Sequence, residues 1–447
     1  MTATTQQAGW VRALSAETAA DALAAARDVA NRLRDPEAPK AATTAALEQS
    51  KYPEYIRWAP HDLAQGDIGL AVLFGQLDAC FPGSGWDAEA HRCLASGARA
   101  TEWIPHLPPG LFGGLGGVAF AARMLSREGT RYRRLLAELD RGLLPQAERG
   151  AEHLRHATGC SVGAFDVISG LSGTGAYLLL GQKDPAVQST LRKVLGALVA
   201  LCGEQAGVPN WHTPYESMGP GNVMAWSFPN GNLNCGLAHG VPGPLALLSL
   251  AMAEGVVVPG QREAVAHVAR WLTDHRADDE WGVNWPSAVA LPDEAGTVQP
   301  PEPARNAWCY GSPGVARALW LAGSALGDDE LRGLAVEAMA ATYRRPVPRR
   351  SIDGPNLCHG VAGLLQVTLR FAADTGDPVF TRAAEDLTGQ LLGMYDRDSL
   401  LGFRDIEPEG QLVDQPGLLS GAPGVALALL AAGADVPPAW DRLFLLS

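Results

Sequence analysis

Seven copies of one short motif, Gly-x-x-Gly followed by an apolar run, are spread along the 447 residues of this chain. They start at Gly66, Gly114, Gly170, Gly240, Gly311, Gly360 and Gly421, at intervals of 48, 56, 70, 71, 49 and 61 residues. A short repeat cannot bury its apolar face alone, so units that recur at this spacing stack on their neighbours. Each interval holds two helices of ordinary length with their loops.

The segment after each motif is rich in Ala, Leu and Val, as in the run Val425 to Ala432. A helix that is apolar on most sides is a buried one. Pro242, Pro313 and Pro423 fall where the first turn of that helix would be, a place where a missing N–H costs nothing. The more polar stretches 331–344 and 382–395 read as outer partners of the buried helices. The expectation is an all-α fold, an α/α toroid of seven inner and seven outer helices. An open superhelix of helical hairpins is the alternative. Residues 1–60 read as an N-terminal helical segment, with an Ala-rich amphipathic helix over 16–34. Residues 61–447 read as the toroid domain. Two longer connections, 203–234 and 278–306, carry Trp211, Trp226, Trp281 and Trp285, and long ordered loops of this kind line binding sites.

Composition narrows the function. Nearly half of the residues are apolar, 47 %, and 19 % are charged, the balance of a protein with a large core. The net charge of −13 repels phosphate backbones, which argues against nucleic acid as a partner. Residues 1–9 are polar and lack the pattern of a secretory signal, and no apolar run approaches the roughly 18 residues of a membrane span. A cytoplasmic protein is expected. Seven scattered cysteines do not look like a disulfide framework, which leaves thiols or metal ligands.

Stacking the repeats on their first glycine brings the reactive side chains into register. The position before it holds Gln65, Gly113, Ser169, His239, Tyr310, His359 and Ser420. One step earlier stand Ala64, Phe112, Ile168, Ala238, Cys309, Cys358 and Leu419. Cys309, Cys358 and His359 therefore fall together, with His239 and Tyr310 beside them. Two thiolates and an imidazole suit zinc, and three protein ligands with one open position are the pattern of a catalytic site. Two buried cysteines and a hydrogen-bonded histidine would satisfy the same pattern. A zinc already neutralised by two thiolates is a poor activator of water, but it keeps an incoming thiol as a nucleophilic thiolate.

The segments 238–243, 305–314, 356–360 and 166–173, above all Trp308-Cys309-Tyr310-Gly311 and Leu357-Cys358-His359-Gly360, resemble the lanthionine synthetase C-like family, the cyclases of class I lanthipeptide biosynthesis. The resemblance implies an α/α toroid with zinc on Cys309, Cys358 and His359. It implies His239 as acid/base, with Asp166, Arg305 and Tyr310 in supporting roles. The implied reaction is addition of peptide cysteine thiols to dehydroalanine or dehydrobutyrine, closing thioether rings. The implied partners are a dehydrated precursor peptide, a dehydratase and an exporter.

Plainer roles exist for each residue. His239 could cap a helix, Asp166 a loop; Arg305 could bind a carboxylate and Tyr310 could pack. Cys235 stands four residues before His239, the spacing of two ligands on one helical face, but out of register with the other cysteines. His212 lies in the Trp-rich loop. Two other functions compete with the cyclase: a thiol-binding member without turnover, and a carbohydrate-active toroid. The second needs facing carboxylates, and neither Asp62, Asp67 and Asp166 nor Glu407, Glu409 and Asp414 mark themselves as such a pair. The last three fall in a segment that reads as solvated.

Overall fold

The structure, a computed structural model, describes residues 10, 12–219, 223–293 and 295–447. The polar start over 1–9 lies outside the described residues. Among the described residues the secondary structure is helical with three small two-stranded ladders.

Each of the seven glycine motifs opens a helix, as the repeat pattern predicts. These are α3 (Asp67–Cys80), α5 (Leu115–Met124), α7 (Leu171–Leu180), α10 (Pro242–Ala253), α12 (Ser312–Leu326), α14 (Val361–Thr375) and α16 (Ala422–Gly433). Burial on every side explains their composition: all twelve residues of α16 are buried, as are the first ten of α10. Pro occupies the first turn of α10, α12 and α16. The intervening helices are α4 (Trp86–Thr101), α6 (Arg133–Arg155), α8 (Pro185–Leu201), α11 (Gln261–Asp274), α13 (Asp329–Arg344) and α15 (Pro378–Gly393). They are amphipathic where the motif helices are not. In α6, for example, Leu136, Leu139, Leu143, Ala147, Ala151 and Leu154 make one buried stripe. Three further helices are α1 (Ala16–Arg32), α2 (Ala38–Gln49) and the short α9 (Val223–Ser227).

The chain divides into two compact units. The larger comprises Ala59–Gly69, Cys93–Ile352 and Asp441–Ser447. In it the motif helices α5, α7, α10 and α12 pack successively, with α6, α8, α11 and α13 beside them. The smaller comprises the described residues up to Trp58, Leu70–Arg92 and Asp353–Trp440. There α14 packs on α15 and α16, and α1 lies along α16 and α15. Helix α1 thus takes the place beside α16 that α13 takes beside α12. Its buried face is Ala19, Ala22, Ala25, Ala26, Val29 and Ala30.

Backbone hydrogen bonds join successive motif loops at the positions two or three before the first glycine. In the larger unit Leu63 N donates to Phe112 O, Phe112 N to Ile168 O, Val167 N to Ala238 O and Ala238 N to Cys309 O, at 2.8 to 3.3 Å. In the smaller unit Cys358 N donates to Leu419 O at 3.1 Å. The register read from sequence is therefore a physical ladder from loop to loop.

The long connections are ordered. β1 (Glu204–Gln205) pairs with β2 (Val208–Pro209), and β3 (Asn232–Asn234) pairs antiparallel with β4 (Ala288–Ala290), tying one connection to the other. Trp211 and Trp285 are fully buried anchors, whereas Trp226 on α9 is exposed. The solvated reading of Glu407, Glu409 and Asp414 holds for the exposed Glu409 and half-exposed Glu407 and fails for the buried Asp414. The segment folds as β5 (Asp405–Ile406) against β6 (Leu412–Val413), and Asp405 and Asp414 are buried. Asp414 accepts from Leu401 N at 3.1 Å, which gives its carboxylate a structural partner. No helix among the described residues is long and apolar enough to cross a membrane.

Candidate active site

Asp166 lies in the loop that opens α7 and is 2 % exposed. Its Oδ1 accepts from Ser169 N at 2.7 Å and from Gly170 N at 2.8 Å. A side chain on Gly170 would collide with the backbone of Phe165 and Asp166, so only glycine lets the loop close tightly enough for that cap. Asp62 Oδ1 caps Ala64 N and Gln65 N in the same way one motif position earlier. Asp166 differs in what its other oxygen does: Oδ2 lies 2.7 Å from Nδ1 of His239.

His239 precedes the glycine that opens the α10 motif and is partly exposed, with 38 % of its side chain accessible. An ionised carboxylate only accepts, so the proton facing Asp166 sits on Nδ1. The opposite ring nitrogen, Nε2, points away from that carboxylate, an arrangement that a carboxylate-oriented acid/base would need.

Tyr310 stands with its ring centroid 6.4 Å from that of His239. Asn234, on β3, orients it. Asn234 Oδ1 accepts from Gly236 N at 3.0 Å, which fixes the amide so that Nδ2 donates to the Tyr310 hydroxyl at 3.2 Å. The phenol oxygen accepts from Asn234. Gly236 makes the approach possible, since a Cβ there would stand 2.5 Å from Cys309 O and 2.6 Å from the Tyr310 ring. His239, Tyr310, Asn234, Asn232, Thr213 and Met218 line one cavity of about 390 Å³.

Cys309 is buried immediately before Tyr310, and Cys358 and His359 immediately precede Gly360, which caps α14. The donors, two thiols and an imidazole, are those that zinc accepts, so the residues fit that ion. The loop bearing His359 is pinned from behind. His359 N donates to Asn356 Oδ1 at 2.9 Å, and Asn356 Nδ2 donates to Asp405 Oδ1 at 2.6 Å.

The remaining candidates lie elsewhere. Arg305 is exposed and is not among the residues that line the cavity. Cys235 is fully buried, its thiol reaches Leu233 O at 3.5 Å, and burial pushes its pKa up to about 12. That environment keeps it a structural thiol. His212 bonds Pro209 O through Nδ1 at 2.8 Å. No disulfide joins any of the seven cysteines. Asn234, Gly236 and Asp405 carry no motif of their own and escape a reading based on spacing.

Comparison with known proteins agrees with this geometry. The chain is 26 % identical over 304 residues to the nisin biosynthesis protein NisC of Lactococcus lactis subsp. lactis, a match covering 66 % of this chain and 70 % of that one. Its fold matches the solved structure of nisin cyclase with a TM-score of 0.72 at 21 % identity, covering 92 % of this chain and 98 % of the other. The all-α toroid expected from the repeats is thus the fold class of this protein. The profile of the family described as lanthionine synthetase C-like protein matches residues 57–445, so the chain belongs to that family.

Proposed function

We propose that this chain is a zinc-dependent lanthipeptide cyclase. It adds cysteine thiols of a dehydrated peptide to dehydroalanine or dehydrobutyrine within the same peptide, closing lanthionine and methyllanthionine rings. The observation that carries the reading is the 2.7 Å contact of Asp166 with His239 at the edge of a cavity that Tyr310 shares, in a chain of this family.

Cys309, Cys358 and His359 are the ligands in this reading. When bound, zinc holds the peptide's cysteine sulfur as a thiolate that remains nucleophilic near neutral pH. The chain's own residues manage the protons and the charge. The reaction forms one S–Cβ bond, converts the Cα=Cβ double bond to a single bond and moves the thiol proton to Cα. The product has the mass of the substrate and lacks the free thiol. Protonated at Nε2, His239 delivers the proton to Cα; Asp166 holds the ring and stabilises its charged form. The Tyr310 hydroxyl, oriented by Asn234, stabilises negative charge that develops on the substrate carbonyl as sulfur attacks. Arg305, on the exposed side of its loop, serves to hold the substrate.

Such a substrate has to come from an enzyme that dehydrates serine and threonine, and its product has to leave through an exporter. A reducing cytoplasm suits both the thiol substrate and the cysteine ligands. The decisive experiment combines a metal assay with mass spectrometry of thiol alkylation on a dehydrated cysteine peptide. Metal-bound protein that makes the peptide's cysteine unreactive at unchanged mass supports the cyclase. Unchanged alkylation overturns it.

A further inference from the structure

The wall of the His239 cavity contains two polar atoms that the fold leaves without partners. Thr213 and Asn232 are each 2 % exposed and both line the cavity. Neither Thr213 Oγ1 nor Asn232 Oδ1 has a hydrogen-bond partner. The backbone puts them side by side. Thr213 N donates to Asn232 O at 2.8 Å and Asn232 N to Thr213 O at 3.0 Å. Residues that exchange both bonds across an antiparallel bridge stand directly opposite one another with side chains on the same face. Asn234 lies two residues along β3 from Asn232, hence on the same face, and it reaches the Tyr310 hydroxyl.

A buried hydroxyl and a buried amide oxygen without partners each cost stability, so a protein retains them where a ligand completes them. The pair offers one donor, the Thr213 O–H, beside one acceptor, Asn232 Oδ1. That is the complement of a peptide group, whose C=O accepts and whose N–H donates. Asn232 Nδ2 is engaged with the Met218 sulfur at 3.1 Å, which leaves Oδ1 as the atom of that amide without a partner.

We infer that Thr213 and Asn232 form a subsite for one backbone peptide group of the substrate, next to His239. Asn232 Oδ1 accepts the substrate N–H, and Thr213 Oγ1 donates to the substrate C=O. The inference rests on the cyclase reading and specifies how the enzyme grips a chain whose side chains vary. Recognition through the backbone lets one site present several dehydrated residues in turn to His239. Met218, a flexible apolar side chain in the same wall, accommodates what lies beyond.

The test uses the full chain loaded with zinc and a synthetic peptide with one dehydroalanine and one cysteine. A matched set carries a single N-methyl group on each backbone nitrogen in turn. Ring closure is followed by loss of alkylatable thiol. One methyl position is expected to raise KM about tenfold for the wild type, the worth of one buried hydrogen bond. Asn232→Leu is expected to raise KM equally for the parent peptide and to be insensitive to that methyl group. Thr213→Val is expected to raise KM several-fold with kcat within about twofold, and to melt no lower than the wild type, because it removes a hydroxyl that nothing in the fold satisfies.

Wild-type KM in both variants, with every methyl position tolerated alike, overturns the subsite. So does a lower melting temperature for Thr213→Val, which would mean that bound water or the fold itself uses the hydroxyl. If the wild type closes no ring on any peptide, the cyclase reading fails, a result distinct from either of these.

Discussion

Asp166 grips His239 and its own loop at once: Oδ2 meets Nδ1 of the imidazole at 2.7 Å while Oδ1 caps Ser169 and Gly170. One oxygen does the plain work of a loop cap, and the other orients the ring to which we assign the acid/base role. The position of that ring is fixed by the same bond pattern that starts α7.

His239→Asn removes the proton carrier that we propose and keeps a comparable shape. Ring closure is expected to slow by about 10²- to 10⁴-fold, the range for a positioned acid/base. Zinc content and peptide affinity should stay at the wild-type level. A metal-bound, thiol-binding protein without turnover would show no change in this measurement, so kinetics with metal analysis separates the two functions.

Asp166→Asn keeps an acceptor for the cap but can turn an NH₂ toward the ring, which favours the wrong tautomer of His239. Activity is expected to fall steeply with little change in melting temperature. Asp166→Ala loses the cap as well, and about 0.5–2 kcal/mol of stability should go with it. Paired thermal melts and rate measurements check this split.

Cys309→Ala is expected to lose both bound metal and ring closure. Asn356→Ala tests the support behind His359, whose N–H it holds. Partners behind a metal ligand typically matter by 10- to 100-fold in affinity. Competition with a chromogenic chelator should show zinc binding weakened in that range while all three donors remain. Unaltered affinity would mean that the Asn356–Asp405 bond serves only the fold.

Burial raises the Asp405 carboxyl to about 6, above the roughly 3.9 of an unfolded chain. A raised carboxyl binds its proton more tightly when folded. Its contribution to stability is present below about pH 4 and is lost as pH climbs through about 6. Asp405→Asn keeps an acceptor for Asn356 and removes the ionisation. It should melt higher than the wild type at pH 7.5 and close to it at pH 4, a difference of order 1–3 kcal/mol. A melting series across that window decides it.

Much of the fold was legible because it repeats. Seven motif positions gave seven helix starts, and the register that aligned Cys309 with Cys358 corresponds to backbone bonds such as Ala238 N to Cys309 O. Legibility ended where chemistry depends on single, unrepeated contacts. Asn234 and Gly236 matter only because β3 runs under Tyr310, and nothing in their spacing says so. The alternation Asn232-Leu233-Asn234 was the available signal, a strand with one polar face. Asp414 looked solvated, yet it is buried because its carboxylate accepts from the Leu401 amide, as nearby Asp405 accepts from Asn356.

The packing of α1 along α16 joins residues some four hundred positions apart. At about 5–20 residues per second, a ribosome leaves α1 without its partner for roughly 20–80 s. During that wait its inward face is solvent-exposed. The face is built almost wholly of alanine, Ala19, Ala22, Ala25, Ala26 and Ala30 with a single valine, so it offers nascent neighbours and chaperones little to adhere to. The alanine richness of the first helix thus serves synthesis as well as close packing: it is a docking strip that stays quiet until the end of the chain arrives.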